Sequence, residues 1–157
     1  MTAAKEVVLH RELVAFIDDD EGPMERYQEA LEEEGYKVER FINLIAALEY
    51  IRTTNDVPAL WLVDVMMPIE DPSFMLEEGQ SLLAAATLGL ASGRVLFREI
   101  RKRFQHAPVI LLTNVATPDI LNAIEAEMDE NAWCESKMAF VPSKLVALVQ
   151  ERIACHR

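Results

Sequence analysis

LVAFIDDD, residues 13–20, decides the fold. Its apolar part does not alternate, and it stops abruptly in three acids. A short unbroken apolar run bounded at once by turn-forming residues reads as a strand buried on both faces, here over residues 13–18. Two later runs share the design: ALWLVD at residues 59–64, ending in Asp64, and VILLT at residues 109–113, introduced by Pro108 and ending in Thr113. Between these runs the apolar spacing changes to that of a helix. Residues 22–35 place Met24, Tyr27 and Leu31 on one face and stop at a glycine. Residues 36–41 (YKVERF) alternate as a strand, and residues 43–53 are helical, with Leu44, Leu48 and Ile51 aligned and Asn43 as N-cap. Helices are also expected over residues 94–104, 117–131 (Pro118 in the first turn) and 142–153, with a short polar strand over 133–137. Strands alternating with helices imply parallel βαβ units with right-handed crossovers. The expectation is an α/β fold, a doubly wound five-stranded parallel sheet of flavodoxin-like order, with five helices.

One segment breaks this rhythm. Residues 69–93 insert extra chain between the third strand and its helix. The first part (IEDPSFMLEEG) has no period and reads as a loop. Further on, Leu83, Ala86, Leu90, Gly93, Phe97, Ile100 and Phe104 recur at steps of three and four, as in one long helix beginning near Gly79. Gly89 and Gly93 each weaken such a helix by roughly 1 kcal/mol, so a break at Ser92–Gly93 is the competing expectation. The domain is expected over residues 13–157, after an N-terminal extension over 1–12.

Ligands of open parallel sheets bind beyond the carboxyl ends of the strands, where strand order reverses. Asp18, Asp19 and Asp20 end the first strand, Asp64 the third and Thr113 the fourth, while Lys137 ends the fifth. Carboxylates gathered at one edge repel each other unless a cation lies among them. Hard oxygen ligands suit Mg²⁺, which takes one or two carboxylates and keeps several waters. A carboxylate there can attack phosphorus, and a hydroxyl and an ammonium beside it can stabilise charge on the transferred group. Taken singly, each has a plainer reading: Asp20 as a helix cap or solvated neighbour, Lys137 as a surface charge.

The chain has 157 residues, enough for one core, and 51% of them are hydrophobic. Its 15 basic and 27 acidic residues give a net charge of −12, which disfavours nucleic acid and anionic membrane as partners and favours a basic protein or a divalent cation. Residues 1–11 lack a signal-peptide pattern, and residues 81–92 are too few to span a bilayer. Cys134 and Cys155 have no metal-like spacing and read as free thiols, so a cytoplasmic location is expected.

Three stretches resemble the receiver domain of bacterial two-component response regulators: residues 14–36 (VAFIDDDEGPMERYQEALEEEGY), 60–68 (LWLVDVMMP) and 93–114 (GRVLFREIRKRFQHAPVILLTN). The resemblance implies that Asp64 is the phosphoacceptor. It also implies that Asp18, Asp19, Asp64 and the backbone carbonyl of Met66 hold Mg²⁺, and that Thr113 and Lys137 meet the phosphoryl group. It further implies a sensor histidine kinase or phosphotransfer protein as donor, and a downstream protein as partner. Such a domain is no enzyme beyond its own phosphorylation and dephosphorylation. The chain departs from the family at the fifth strand. Met138 stands where a proline in a cis peptide usually follows the lysine. Cys134 occupies the place of the aromatic switch residue, with Trp133 one place earlier and on the other face of a regular strand. Asn114 and Val115 follow Thr113 where small residues are usual, and are expected to narrow access to the phosphoryl group.

Two other functions fit parts of the sequence. A haloacid-dehalogenase-like phosphatase uses a D-x-D pair, here Asp18 as nucleophile and Asp20 as acid, but needs a late acidic pair, and none follows Lys137. A phosphorylation-independent scaffold suits the altered fifth strand but not the intact acids. The insertion reads either as a surface loop with a helix packed on its own domain, or as a docking or homodimerisation surface beside Asp64.

Overall fold

The computed structural model describes residues 8–65, 91–113, 122, 125–137 and 141–156. Strand β1 (Val8–Ile17) leads into helix α1 (Glu21–Glu33), β2 (Lys37–Phe41), α2 (Leu44–Thr53) and β3 (Asp56–Asp64). Helix α3 (Ala91–Arg103), β4 (Val109–Thr113), β5 (Ala132–Ser136) and α4 (Pro142–His156) follow. All strand pairs are parallel, in the order β2-β1-β3-β4-β5. This is the flavodoxin-like order, and its reversal falls between β1 and β3.

Alternate strand residues feed two cores. Ala15, Ile17, Trp61, Val63, Val109 and Leu111 pack under α2 and α3 on one face. Val14, Phe16, Leu60, Leu62, Ile110 and Leu112 pack under α1 and α4 on the other. Fully burying each large apolar side chain contributes about 1.5–3 kcal/mol, and covering both faces is why these strands are unbroken apolar runs.

Local signals end the helices. Gly35 adopts φ 93°, and the Gly35 and Tyr36 amides donate to the Glu32 and Leu31 carbonyls, closing α1 in a Schellman turn. At α2 the Asn43 side chain accepts from the Ala46 amide at 2.8 Å, the expected cap.

Four expectations change. First, β1 begins at Val8, so residues 8–12 belong to the sheet rather than to an extension. The polar His10, Arg11 and Glu12 hide that start, and the β1–β3 register shifts between His10 and Val14, opposite Pro58, which has no amide hydrogen for a ladder. Second, α3 runs through Ser92 and Gly93 without a break. Third, residues 126–131 are turn and irregular chain, so the helix expected over 117–131 stops short of Asn131. Fourth, the fifth strand is Ala132–Ser136, shifted by one residue. The insertion before Ala91, the rest of the 117–131 helix, and residues Met66, Asn114, Val115 and Met138 lie outside the described residues.

Arg101 fastens the lower edge of the domain. Its guanidinium donates to both Asp129 oxygens and to the Phe104, Ala107 and Asn131 carbonyls, so every one of its N–H groups has an acceptor. The C-terminus of α3 and the approaches to β4 and β5 are joined through one side chain.

Candidate functional site

The sheet register assembles the acids. Ile17 pairs with Val63 across β1 and β3, so the next residue on each strand, Asp18 and Asp64, stands at the same edge on either side of the switch point. Asp64 in turn pairs with Leu112, placing Thr113 one step further along β4. Thr113 pairs with Ser136, and Lys137 follows. Four sequence positions far apart in the chain thus meet at the carboxyl edge of adjacent strands.

Asp18, Asp64 and Thr113 are buried, whereas Asp19 is exposed at the rim. One carboxylate oxygen from each of Asp18, Asp19 and Asp64 lies within 4.8 Å of the others. Oxygens on opposite sides of an octahedral Mg²⁺ stand about 4.2 Å apart, so two of these acids can reach one ion directly and the third through water. Asp18 Oδ1 accepts from the Asp20 amide at 2.9 Å. The Lys137 Nζ lies 2.7 Å from Asp18 Oδ2 and 3.4 Å from Asp64 Oδ2.

Electrostatics agree with a site short of positive charge. Burial holds the Asp18 carboxyl above its ordinary range, although Lys137 and the Asp20 amide both favour its ionised form. Burial also draws the Lys137 ammonium down, but the ion pair with Asp18 and the charge of Asp64 outweigh it and leave Lys137 raised. One lysine cannot offset three neighbouring carboxylates, and a divalent cation suits the donor set.

Asp20 stands outside the acid cluster. It occupies the N-cap position of α1 without a side-chain cap bond, while its carbonyl accepts from Arg40 Nη2 at 3.1 Å. Asp20, the acid of the phosphatase reading, is exposed.

Two neighbours of the site were not legible in the sequence. The amide of Gly93 donates to the Val65 carbonyl at 3.2 Å, and a Cβ at Gly93 would stand 2.6 Å from Val65 Cα. Helix α3 is therefore seated on the backbone just past Asp64. Arg40, at the end of β2, ties the acidic loop to the neighbouring strand. Only the alternation of residues 36–41 hinted at its position.

The fifth strand keeps a regular register. Trp133 pairs with Ile110 and packs on the α1–α4 face, where Arg152 lies over its ring at 4.4 Å. Cys134 pairs with Leu111 on the opposite face, and burial pushes its thiol up to about 11. The position three before Lys137 thus carries a half-buried thiol, and the indole points away from it.

The chain has the receiver fold. It superposes on a CheY-like response regulator receiver domain protein from Methanospirillum hungatei with TM-score 0.66 and 20% identity, over 92% of this chain and 95% of that one. The receiver domain of a signal transduction histidine kinase from Syntrophus aciditrophicus gives TM-score 0.65 at 22% identity, over 91% and 90%. A beryllofluoride-activated DrrB receiver domain gives TM-score 0.61 at 22% identity, over 90% and 97%. No family model matches the sequence, and no curated protein does. Among the described residues of this receiver fold, no helix is long and apolar enough to cross a membrane.

Proposed function

We propose that this receiver fold is a phosphoacceptor switch in two-component signalling. In this reading Asp64 takes a phosphoryl group from a histidine kinase or phosphotransfer protein and signals through protein contacts. The observation that supports it is the meeting of buried Asp18 and Asp64 with Asp19 and the Lys137 ammonium at the switch point of the sheet. A carboxylate oxygen of Asp64 attacks phosphorus, the bond from phosphorus to the donor imidazole breaks, and an acyl phosphate forms on Asp64. Asp18, Asp19 and Asp64, with the Met66 carbonyl that the resemblance implies, would hold Mg²⁺, which would neutralise charge on the phosphoryl oxygens. Lys137 and the Thr113 hydroxyl meet the transferred group from neighbouring strand ends, and burial keeps water from the acyl phosphate. Such a domain turns over only its own phosphate. In this reading Asp64 is the acceptor and Asp18 serves the metal, with one Asp18 oxygen on the Asp20 amide and the other beside the Lys137 ammonium.

The test is beryllofluoride binding followed by ¹⁹F NMR. Binding that needs Mg²⁺ and disappears in Asp64→Asn supports the proposal, whereas binding that survives Asp64→Asn refutes it.

A further inference from the structure

The acidic turn that carries Asp19 is tied to the neighbouring strand β2 at two points. The Asp18 amide donates to the Phe41 carbonyl at 3.0 Å, and Arg40 Nη2 donates to the Asp20 carbonyl at 3.1 Å. Within the turn, the Asp20 amide donates to Asp18 Oδ1 at 2.9 Å. Asp19 lies between these ties. Its own carboxylate is exposed at the rim, so the backbone on either side decides where it points. Asp20 makes no side-chain cap bond to α1, and the helix does not fix the turn in the usual way. Arg40 rises on the α1 face of the sheet, two residues on from Val38, which packs there. Its Nε is shut off from water and meets no acceptor among the described residues. A guanidinium free to swing out would give that N–H to solvent. Here the arm stays against the domain, with Nη2 on the turn.

We propose, resting on the metal site assigned above, that Arg40 is a positioning residue, which holds the Asp18–Asp20 turn so that Asp19 faces the divalent cation. Two opposed effects meet in this side chain. As a cation near the acids it repels a metal ion, so charge alone would make its removal tighten metal binding. As a clamp it keeps Asp19 ordered before the metal arrives, so its removal weakens metal binding. The clamp is the larger effect, because water screens the repulsion at an exposed rim whereas nothing replaces the lost tie to the Asp20 carbonyl. A side chain that serves only the stability of the fold changes metal affinity in neither direction.

Calorimetric Mg²⁺ titration of the full chain reads the sign. Arg40→Met, which loses both charge and donor, is expected to bind Mg²⁺ on the order of tenfold more weakly. Arg40→Lys, which can still donate to the Asp20 carbonyl, is expected to recover part of the loss. Amide hydrogen exchange without metal gives a second readout. The Asp20 amide should exchange on the order of tenfold faster in Arg40→Met, while that of Leu62, buried in the centre of the sheet, stays as it was. Arg40→Gln repeats both measurements should Arg40→Met not fold. Equal or tighter Mg²⁺ binding by the variant overturns the proposal, as does an Asp20 amide whose exchange is unchanged. In either case the metal site itself stands if the unchanged chain binds Mg²⁺ and loses it in Asp18→Asn. If the unchanged chain binds no Mg²⁺, the metal site and the positioning of Asp19 toward it both fall.

Discussion

Gly93 and Val65 touch backbone to backbone: the Gly93 amide donates to the Val65 carbonyl at 3.2 Å, and a methyl group at Gly93 would stand 2.6 Å from Val65 Cα. Helix α3 and the residue following Asp64 are thereby held in one position relative to each other. The glycine costs the helix about 1 kcal/mol in propensity, and the close approach is what it makes available.

Gly93→Ala should therefore destabilise the domain by about 1–3 kcal/mol, despite alanine's better helix propensity. Gly22, in α1, has nothing within 4 Å of its would-be Cβ, so Gly22→Ala should be neutral or slightly stabilising. Urea unfolding of both variants checks the contrast. A Gly93→Ala protein as stable as the unchanged one contradicts the seating of α3 on Val65.

Removing Arg101 should unfasten three parts of the domain at once. Its acceptors are Asp129 and three backbone carbonyls, and its side chain is only 14% exposed. Arg101→Ala is expected to cost about 2–4 kcal/mol, since buried carbonyls lose their donors. Arg101→Lys should recover little of it, because an ammonium cannot fill a planar fork. Hydrogen exchange should show the loss concentrated near Ala107 and Asn131.

The Glu99 carboxylate gives a pH signature. Burial pushes its pKa up, but Arg52 at 3.1 Å and Lys102 at 2.9 Å more than reverse this and hold it below 4.5, its ordinary value. A depressed folded pKa means stability that is complete above the unfolded value and lost as pH falls through the folded one. Unfolding free energies of the unchanged chain and Glu99→Gln should differ by about 1 kcal/mol at neutral pH, converging only in acid below 4.5. A constant difference down to acid pH contradicts the assignment.

The two cysteines should differ in reactivity. Cys155 is exposed, whereas Cys134 is half-buried with its thiol pushed up to about 11. At pH 8 only about one Cys134 in a thousand is thiolate, the form that attacks. A disulfide reagent should modify Cys155 quickly and Cys134 only after partial unfolding. Equal rates would place Cys134 in a different environment.

Sequence pattern made the centre of the sheet readable and left its margins obscure. Strands β3 and β4 stood out because both faces are covered, so residues 59–63 and 109–112 run apolar up to Asp64 and Thr113. The first half of β1 did not, since His10, Arg11 and Glu12 interrupt its apolar run where it pairs with β3 alone. The acids were legible because parallel register carries strand ends to one edge. That Lys137 lies nearer Asp18 than Asp64, and that Gly93 fits over Val65, depend on contacts between residues far apart in the chain, on which local periodicity is silent.

The most direct test of the central claim is mass spectrometric mapping after incubation with acetyl phosphate, with and without Mg²⁺. The account predicts one base-labile, hydroxylamine-sensitive phosphoryl group on Asp64, formed only with Mg²⁺ and absent from Asp64→Asn. A phosphoryl group on Asp18, or none on Asp64 with Mg²⁺ present, would contradict it.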